Sequence, residues 1–278
     1  MSAIRGYIQL TRPVNLLIAF GSIFIGGFVT GTIHPLSKLM LACFSGALIA
    51  AGANSINDYY DLEIDRINKP GRPLPSGLVR PPQACYFALT LFAVGTLTGS
   101  FIHLPGFVIA LCSSVLLYLY SFRLKRTVLW GNLTVALLSG MAFIYGGLAV
   151  GRYREAVIVG IFSFFFHLSR EIIKDIEDMK GDRSEGLITL PLKYGIKSAL
   201  VLSSTVMLVL IGLTLVPYFM HIFSLVYLII VIAGVDLFLF YVLFAMWIRP
   251  VPEHLGRLAV LMKADMLAGL LAVYFGRG

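Results

Sequence analysis

Ten of the fourteen acidic residues in this 278-residue chain fall in two short windows: Asp58, Asp61, Glu63 and Asp65, then Glu171, Asp175, Glu177, Asp178, Asp182 and Glu185. Each window holds the spacing D-x-x-D-x-x-x-D, as Asp58, Asp61, Asp65 and as Asp175, Asp178, Asp182. The two copies are offset by 117 residues at every position, and Arg66 and Arg183 follow at the same offset. Steps of three and four residues return to one side of a helix, so each triplet is predicted to line its carboxylates along a stripe about two turns long. Like charges so placed repel, and a hard divalent cation with oxygen ligands relieves the repulsion. Magnesium is usually held by one or two carboxylates together with phosphate oxygens of a substrate, so two such sets suit a metal-bridged diphosphate.

The neighbouring residues fit the same chemistry. Asn54 and Asn57 precede the first triplet and offer amide oxygens, while Arg66, Lys69 and Arg72 trail it. Arg123, Lys125 and Arg126 form a second basic group, and Lys174 precedes the second triplet. Some of these cations are expected on a diphosphate and others only balance charge. Helix-end salt bridges, such as Lys174 with Asp178 or Arg170 with Glu171, account for one acidic cluster. They do not account for two copies of one spacing.

The elements that must position these residues are membrane helices. Hydrophobic residues make up 58% of the chain and charged residues 13%, with a mean hydropathy of +0.89. That leaves too little polar surface to coat a soluble globule. Windows of roughly 20 apolar residues recur along nearly the whole sequence. They predict nine spans, at 13–31, 38–58, 82–102, 105–122, 130–150, 155–177, 197–217, 219–247 and 256–275. The runs are too long and too continuously apolar for barrel strands, so the fold class is an all-α integral membrane bundle. No separate soluble domain is left over, and residues 1–278 read as one domain. Arg5 and Arg12 before an apolar run resemble the start of a signal peptide. No small-residue cleavage site follows, and the segment reads as the first helix. Small residues in three spans, at Gly21, Gly26 and Gly27, at Gly46, Ala50 and Ala51, and at Gly140, Gly146 and Gly147, mark candidate close helix contacts.

Basic residues gather in loops on one side: Arg66 to Arg80, Arg123 to Arg126, Lys180 to Lys197, and Arg249 with Arg257. The breaks around His34, His103 and His221 carry few cations, and only Arg152 and Arg154 run against the bias. With nine spans, the N-terminus and the acidic clusters are predicted to be cytoplasmic and the C-terminus outside. The net charge of +8 thus lies on a membrane face, where it attracts anionic lipid or phosphate-bearing substrates. No folded basic module of a nucleic-acid reader is present, and no obligate protein partner is evident. Cys43, Cys85 and Cys112 lie within apolar runs without metal-ligand spacing and read as packing residues.

The segments NSINDYYDLEIDRINKPGRPLPSG, from Asn54 to Gly77, and KDIEDMKGDRSEGLITLPLKYG, from Lys174 to Gly195, carry a resemblance. With them the chain resembles, over essentially its whole length, the UbiA superfamily of intramembrane prenyltransferases. The resemblance implies nine helices around a central cavity, with the two Asp motifs facing each other at its cytoplasmic mouth under a cap. It implies that Asn57, Asp58, Asp61, Asp65, Asp175, Asp178 and Asp182 hold Mg2+, with Asp61, Asp65, Asp178 and Asp182 central to catalysis. Asn54, Arg66, Lys69, Arg72, Ser76, Tyr120, Arg123, Lys125 and Lys174 would meet the substrates, with Arg72, Arg123 and Arg126 candidates for the phosphate of a phosphate-bearing acceptor as well as for the prenyl diphosphate. Tyr120, Ser121 and Lys125 are similar to the family's element after the fourth helix, although the spacing to Lys125 is one residue longer than in benzoate-type members.

Among members, the unbroken KDIEDMKGD is most similar to those that join a geranylgeranyl group from geranylgeranyl diphosphate to geranylgeranylglyceryl phosphate, forming an ether lipid precursor. Aromatic acceptors such as hydroxybenzoate or naphthoate, and a chlorophyllide-like acceptor, are the alternatives. Phe143, Tyr145, Phe162, Phe165 and Phe166 are candidates to line the cavity beside an allylic cation. A cation-coupled transporter is the non-enzyme alternative, but its acids would sit near the bilayer midplane on broken helices rather than at helix ends. Asp236, deep in the eighth span, is a functional candidate by its position alone.

Overall fold

Long apolar runs punctuated by Pro, Gly and charge leave the backbone only one way to satisfy its hydrogen bonds in hydrocarbon, and the chain takes it. The computed structural model describes residues 2–184 and 186–277, with side chains for all of these except residues 2, 3 and 68; Glu185 of the second acidic window lies outside the described residues. Among them there are helices and no strands. In chain order the helices are α1 (Ser2–Thr11), α2 (Pro13–Phe28), α3 (Leu36–Tyr60), α4 (Leu62–Asn68), α5 (Pro81–Ser100), α6 (Leu104–Phe122), α7 (Trp130–Ala149) and α8 (Arg154–Ser184). They continue with α9 (Leu190–Tyr194), α10 (Ile196–Phe219), α11 (Leu225–Ile230), a π-helical segment (Val231–Asp236) running into α12 (Leu237–Ile248), and α13 (Pro252–Phe275).

A helix coincides with each predicted span, with shifted edges. Seven of the described helices are long and apolar enough to cross a membrane, or up to eight if α1 and α2 form one bent span. The first span has a helix that starts at residue 13 as expected but ends at Phe28 and follows a bent partner. α2 alone has 16 residues, and it meets α1 at an angle of 44°. Pro13 at the first helical position and Arg12 with φ at 52° make that break. α5 has 20 residues but is not among the seven. Two prolines, Gln83 and several Thr and Ser residues dilute its apolar character. The span expected at 219–247 begins instead at Leu225, after the chain turns at His221.

Two compact units organise these elements. One comprises the chain up to Leu124 together with Ala142–Ala156, the other Lys125–Met141 and the chain from Val157 onward. In the first unit α3 is the central helix, packing on α1, α2, α5 and α6. Its core gathers Ile23, Leu39, Ile49, Ile56, Phe92 and Tyr145. Interhelical hydrogen bonds tie it further: Tyr145 Oη donates to Ser45 Oγ at 3.0 Å, and Thr96 and Ser114 meet at 2.9 Å. Such bonds average about 0.6 kcal/mol within membranes. Tyr145 is thereby tied into the packing of this unit, and Phe143 is buried beside α2.

In the second unit α10 packs on α9, α11 and α12, and α13 packs on α11, the π segment and α12. Ser169 of α8 and Ser203 of α10 pair at 2.9 Å, and the Arg170 Nε of α8 donates to Ala259 O of α13 at 3.0 Å. Trp130 and Trp247 stand exposed near helix ends, as expected of interfacial anchors. Cys43 is buried as a packing residue, whereas Cys112 faces outward.

The small residues sort into contacts and spacers. A Cβ on Gly26 would fall on the backbone of Phe143, and one on Gly146 on the carbonyl of Ile23, so α2 and α7 touch backbone to backbone. A Cβ on Gly21 would meet nothing within 4 Å beyond its own stretch of helix. Gly146→Leu is therefore expected to destabilise the protein by about 1–3 kcal/mol through overpacking. Gly21→Ala should leave stability unchanged or raise it by up to about 1 kcal/mol. Thermal unfolding in one detergent, with both variants side by side, checks the contrast.

Candidate active site

The first acidic triplet is split by a helix end. Asp58 lies in the last turn of α3, Asp61 at the junction with φ −93° and ψ 8°, and Asp65 in α4. The uninterrupted two-turn stripe expected of Asp58, Asp61 and Asp65 is thus broken at Asp61. The connection is nonetheless tight, because Asp61 N donates to Asn57 O at 3.0 Å and Asp65 N to Asp61 O at 2.8 Å. Asp58 and Asp65 are each 3% exposed. Buried carboxylates need partners, and here arginines supply them. Arg12 pairs with Asp58 Oδ1. Arg72 Nη1 lies 3.3 Å from Asp58 Oδ1 and 2.5 Å from Asp65 Oδ2, bridging the two acids across the helix end.

Each arginine is delivered by its own break in the chain. Arg12 occupies the corner between α1 and α2, and Asn54 fastens that corner by donating to Thr11 O at 2.8 Å. Arg72 starts a compact turn in which Ser76 N donates to Arg72 O at 3.0 Å and Val79 N to Pro73 O at 3.1 Å. The turn is seated by Leu74 and Val79, which pack with Leu10 and Ala84. Asn57 Nδ2 donates to Asp61 Oδ2 at 2.8 Å and orients that carboxylate.

The remaining candidates of this unit diverge. Arg66 turns outward to Glu63 at 2.8 Å and is not gathered with the buried acids. Lys69 and Ser76 are exposed, and the Ser76 hydroxyl faces Pro73 O at 3.4 Å. Tyr120 is half-buried near the end of α6, and Arg123 is exposed just beyond it.

The second triplet behaves as its spacing predicts, since Asp175, Asp178 and Asp182 all lie on the uninterrupted α8. Its members differ in setting. Asp175 is half-buried and accepts a hydrogen bond from Asn132 Nδ2 at 3.0 Å, which locks its orientation. Asp178 is open, and Lys174 approaches it at 3.8 Å. The helix-end pairs considered from the sequence both form, for Arg170 also meets Glu171 at 2.6 Å. The exposed Lys174–Asp178 pair contributes at most a few tenths of a kcal/mol. Beyond α8, Leu187 N donates to Asp182 O at 3.0 Å and Ile188 N to Arg126 O at 3.4 Å. The segment carrying Lys125 and Arg126 is thus drawn beside the end of α8 that bears Asp182.

Two site residues escaped the sequence reading. Arg12 reads in the sequence only as a cation before the first apolar run, and Asn132 lies in an apolar run, where being the one amide of that span is its only signal. Their partners are 46 and 43 residues away. The donor set suits a hard cation: Asp58, Asp61, Asp65 and Asn57 around one helix end, and Asp175 and Asp182 along the other helix. Among the described residues no three acidic, His or Cys groups converge into a complete metal site. Carboxylates in ones and twos fit magnesium that completes its shell with phosphate oxygens and water, not an all-protein cage.

Comparison with known proteins identifies the family. The profile of the UbiA prenyltransferase family matches residues 16–256. A protein of Methanosphaera stadtmanae named digeranylgeranylglyceryl phosphate synthase is 36% identical over 97% of this chain and 98% of its own length. One of the same name from Methanopyrus kandleri is 38% identical over 96% and 97%. A solved structure concerning digeranylgeranylglyceryl phosphate synthase in membranes superposes with a TM-score of 0.86 at 34% identity, covering 99% of both chains. A UbiA homologue from Archaeoglobus fulgidus bound to GPP and Mg2+ has a TM-score of 0.74 at 22% identity, over 97% and 99%, and shares the fold. With a family match over most of its length and relatives above one-third identity from end to end, this chain is a multi-pass membrane protein that belongs to the UbiA prenyltransferase family.

Proposed function

We propose that this prenyltransferase moves a geranylgeranyl group from geranylgeranyl diphosphate to the hydroxyl of geranylgeranylglyceryl phosphate, with magnesium, as one catalytic domain over residues 1–278. The observation that carries the reading is the end-to-end identity with proteins named for that reaction. Beside it stand two acidic triplets with buried carboxylates and attendant cations. Aromatic acceptors are the second choice within the family, but none of the relatives described above carries such a name.

The chain's own residues divide the work. Asn57, Asp58, Asp61 and Asp65, with Asp175, Asp178 and Asp182, supply oxygen ligands. Magnesium, when bound, supplies positive charge against the departing diphosphate. Arg12 and Arg72, already beside the first triplet, stabilise charge that develops on the leaving group, and Lys125 and Lys174 do so beside the second. The bond between the prenyl carbon and the diphosphate oxygen breaks with its electron pair going to diphosphate. A lone pair of the acceptor hydroxyl forms the new ether bond, and the hydroxyl proton is released. The apolar helices around the site exclude water that would quench an allylic cation. The active-site loops and N-terminus lie on the cytoplasmic side in this account, following the loop cations.

Purified protein in liposomes with magnesium and both substrates should yield the digeranylgeranyl ether, identified by mass. Asp61→Ala and Asp178→Ala should yield none. Prenylation of hydroxybenzoate or naphthoate instead would replace the acceptor, and no prenylation by folded protein would remove the enzyme reading. Arg72→Ala is expected to lower kcat about 100-fold, the effect of losing one electrostatic clamp. Arg72→Lys should recover only part of it, because one ammonium cannot bridge Asp58 and Asp65 as the guanidinium does. Steady-state kinetics at saturating magnesium reads both. For orientation, in a background with Cys43, Cys85 and Cys112 replaced by serine, Ser198→Cys should react with an impermeant thiol reagent only from the cytoplasmic side, and His221→Cys only from outside.

A further inference from the structure

Two acids in the second unit take no part in the triplets. Asp236 ends the π segment and Asp265 lies mid-way along α13, with 4% and 6% of their surfaces exposed. Both stand near the middle of helices long and apolar enough to cross a membrane, where an ionised carboxylate is costly. Packing brings them together. Asp265, Ala268 and Gly269 share one face of α13 at i, i+3 and i+4. A Cβ on Gly234 would sit 3.2 Å from Ala268 Cβ, and one on Gly269 3.9 Å from Val235 Cγ2, so the π segment lies directly on that face. The widened turn, with Leu237 N donating to Ile232 O, is an interruption of the kind that accompanies functional positions.

The hydrogen-bond distances constrain where protons can sit. Thr214 Oγ1 lies 2.7 Å from Ile211 O and 3.0 Å from Asp236 Oδ1. A threonine hydroxyl has one proton, and a backbone carbonyl only accepts. With that proton given to the shorter contact, the contact with Asp236 is a hydrogen bond only if the carboxyl donates. Tyr227 cannot supply the missing proton, because its hydroxyl donates to Thr214 O at 2.7 Å. Asp265 Oδ2 is buried with no hydrogen-bond partner among the described residues, and the charged group bearing on this carboxyl is Asp236. An ionised Asp265 would face another acid in hydrocarbon with no cation beside it.

We propose that Asp236 and Asp265 form an intramembrane proton-binding site, in which both carboxyls carry a proton at neutral pH, Asp236 donating to Thr214 Oγ1 and Asp265 holding an exchangeable proton. The titratable groups facing the pair are Tyr227 of α11 and the two acids themselves; α10 contributes Thr214, which does not titrate. The site lies apart in sequence from both triplets, and its test does not depend on the prenyl-transfer reading.

Infrared spectroscopy of the full-length protein in lipid nanodiscs at neutral pH reads the carbonyl stretch of protonated carboxyls directly. Wild type, Asp236→Asn, Asp265→Asn and the double variant are compared. The expected result is that each single variant removes one component of the band and the double variant removes both. Thr214→Val, a milder change should the Asn variants fail to fold, is expected to shift the Asp236 component to higher frequency and leave the Asp265 component in place. A band insensitive to all of these changes would overturn the proposal. So would the loss of only one component in the double variant. Loss of the band when sodium chloride replaces choline chloride would also overturn it, making the pair a sodium site.

Discussion

A carboxylate withdrawn from water at the end of a membrane helix must meet positive charge, and the first unit is arranged around that requirement. Asp58 and Asp65 are almost fully buried, and Arg12 and Arg72 answer them from chain breaks on either side of α3. Leaving either acid unpaired would cost about 1–3 kcal/mol or more. The kink before Pro13, the end of α3 at Asp61 and the compact turn after Lys69 are therefore not separate irregularities. Each places one member of a single charge cluster.

The second unit solves the same problem more loosely. Asp175 is held by the neutral amide of Asn132, and Asp178 stands open with a distant lysine. Two copies of one spacing thus differ in local structure: one wraps a helix end and is neutralised by arginines, the other runs along an intact helix and meets an amide and a lysine. Magnesium, which keeps waters and takes substrate oxygens, tolerates such unequal donors.

Much of this was legible in the sequence. Apolar windows located the helices because the bilayer fixes their length, and the stepping of the acids by three and four marked the candidate site. Helix ends were less legible, since a period of three and four continues unchanged across the break at Asp61. Long-range partners were illegible in principle. Nothing in the local spacing joins Arg12 to Asp58 or Asn132 to Asp175, because those pairs are made by helix packing. Arg66 shows the converse: its matching offset with Arg183 drew attention to it, yet it pairs with Glu63 at the surface.

We propose that the prenyl diphosphate binds only with magnesium and that each triplet is needed for that binding. Equilibrium binding of the unreactive thiolodiphosphate analogue of geranylgeranyl diphosphate, titrated with and without magnesium, tests it without turnover. Binding is expected to require magnesium and to be lost on changing Asp61 or Asp178 alone. Binding of equal strength without the metal, or indifferent to one of the two triplets, would contradict it.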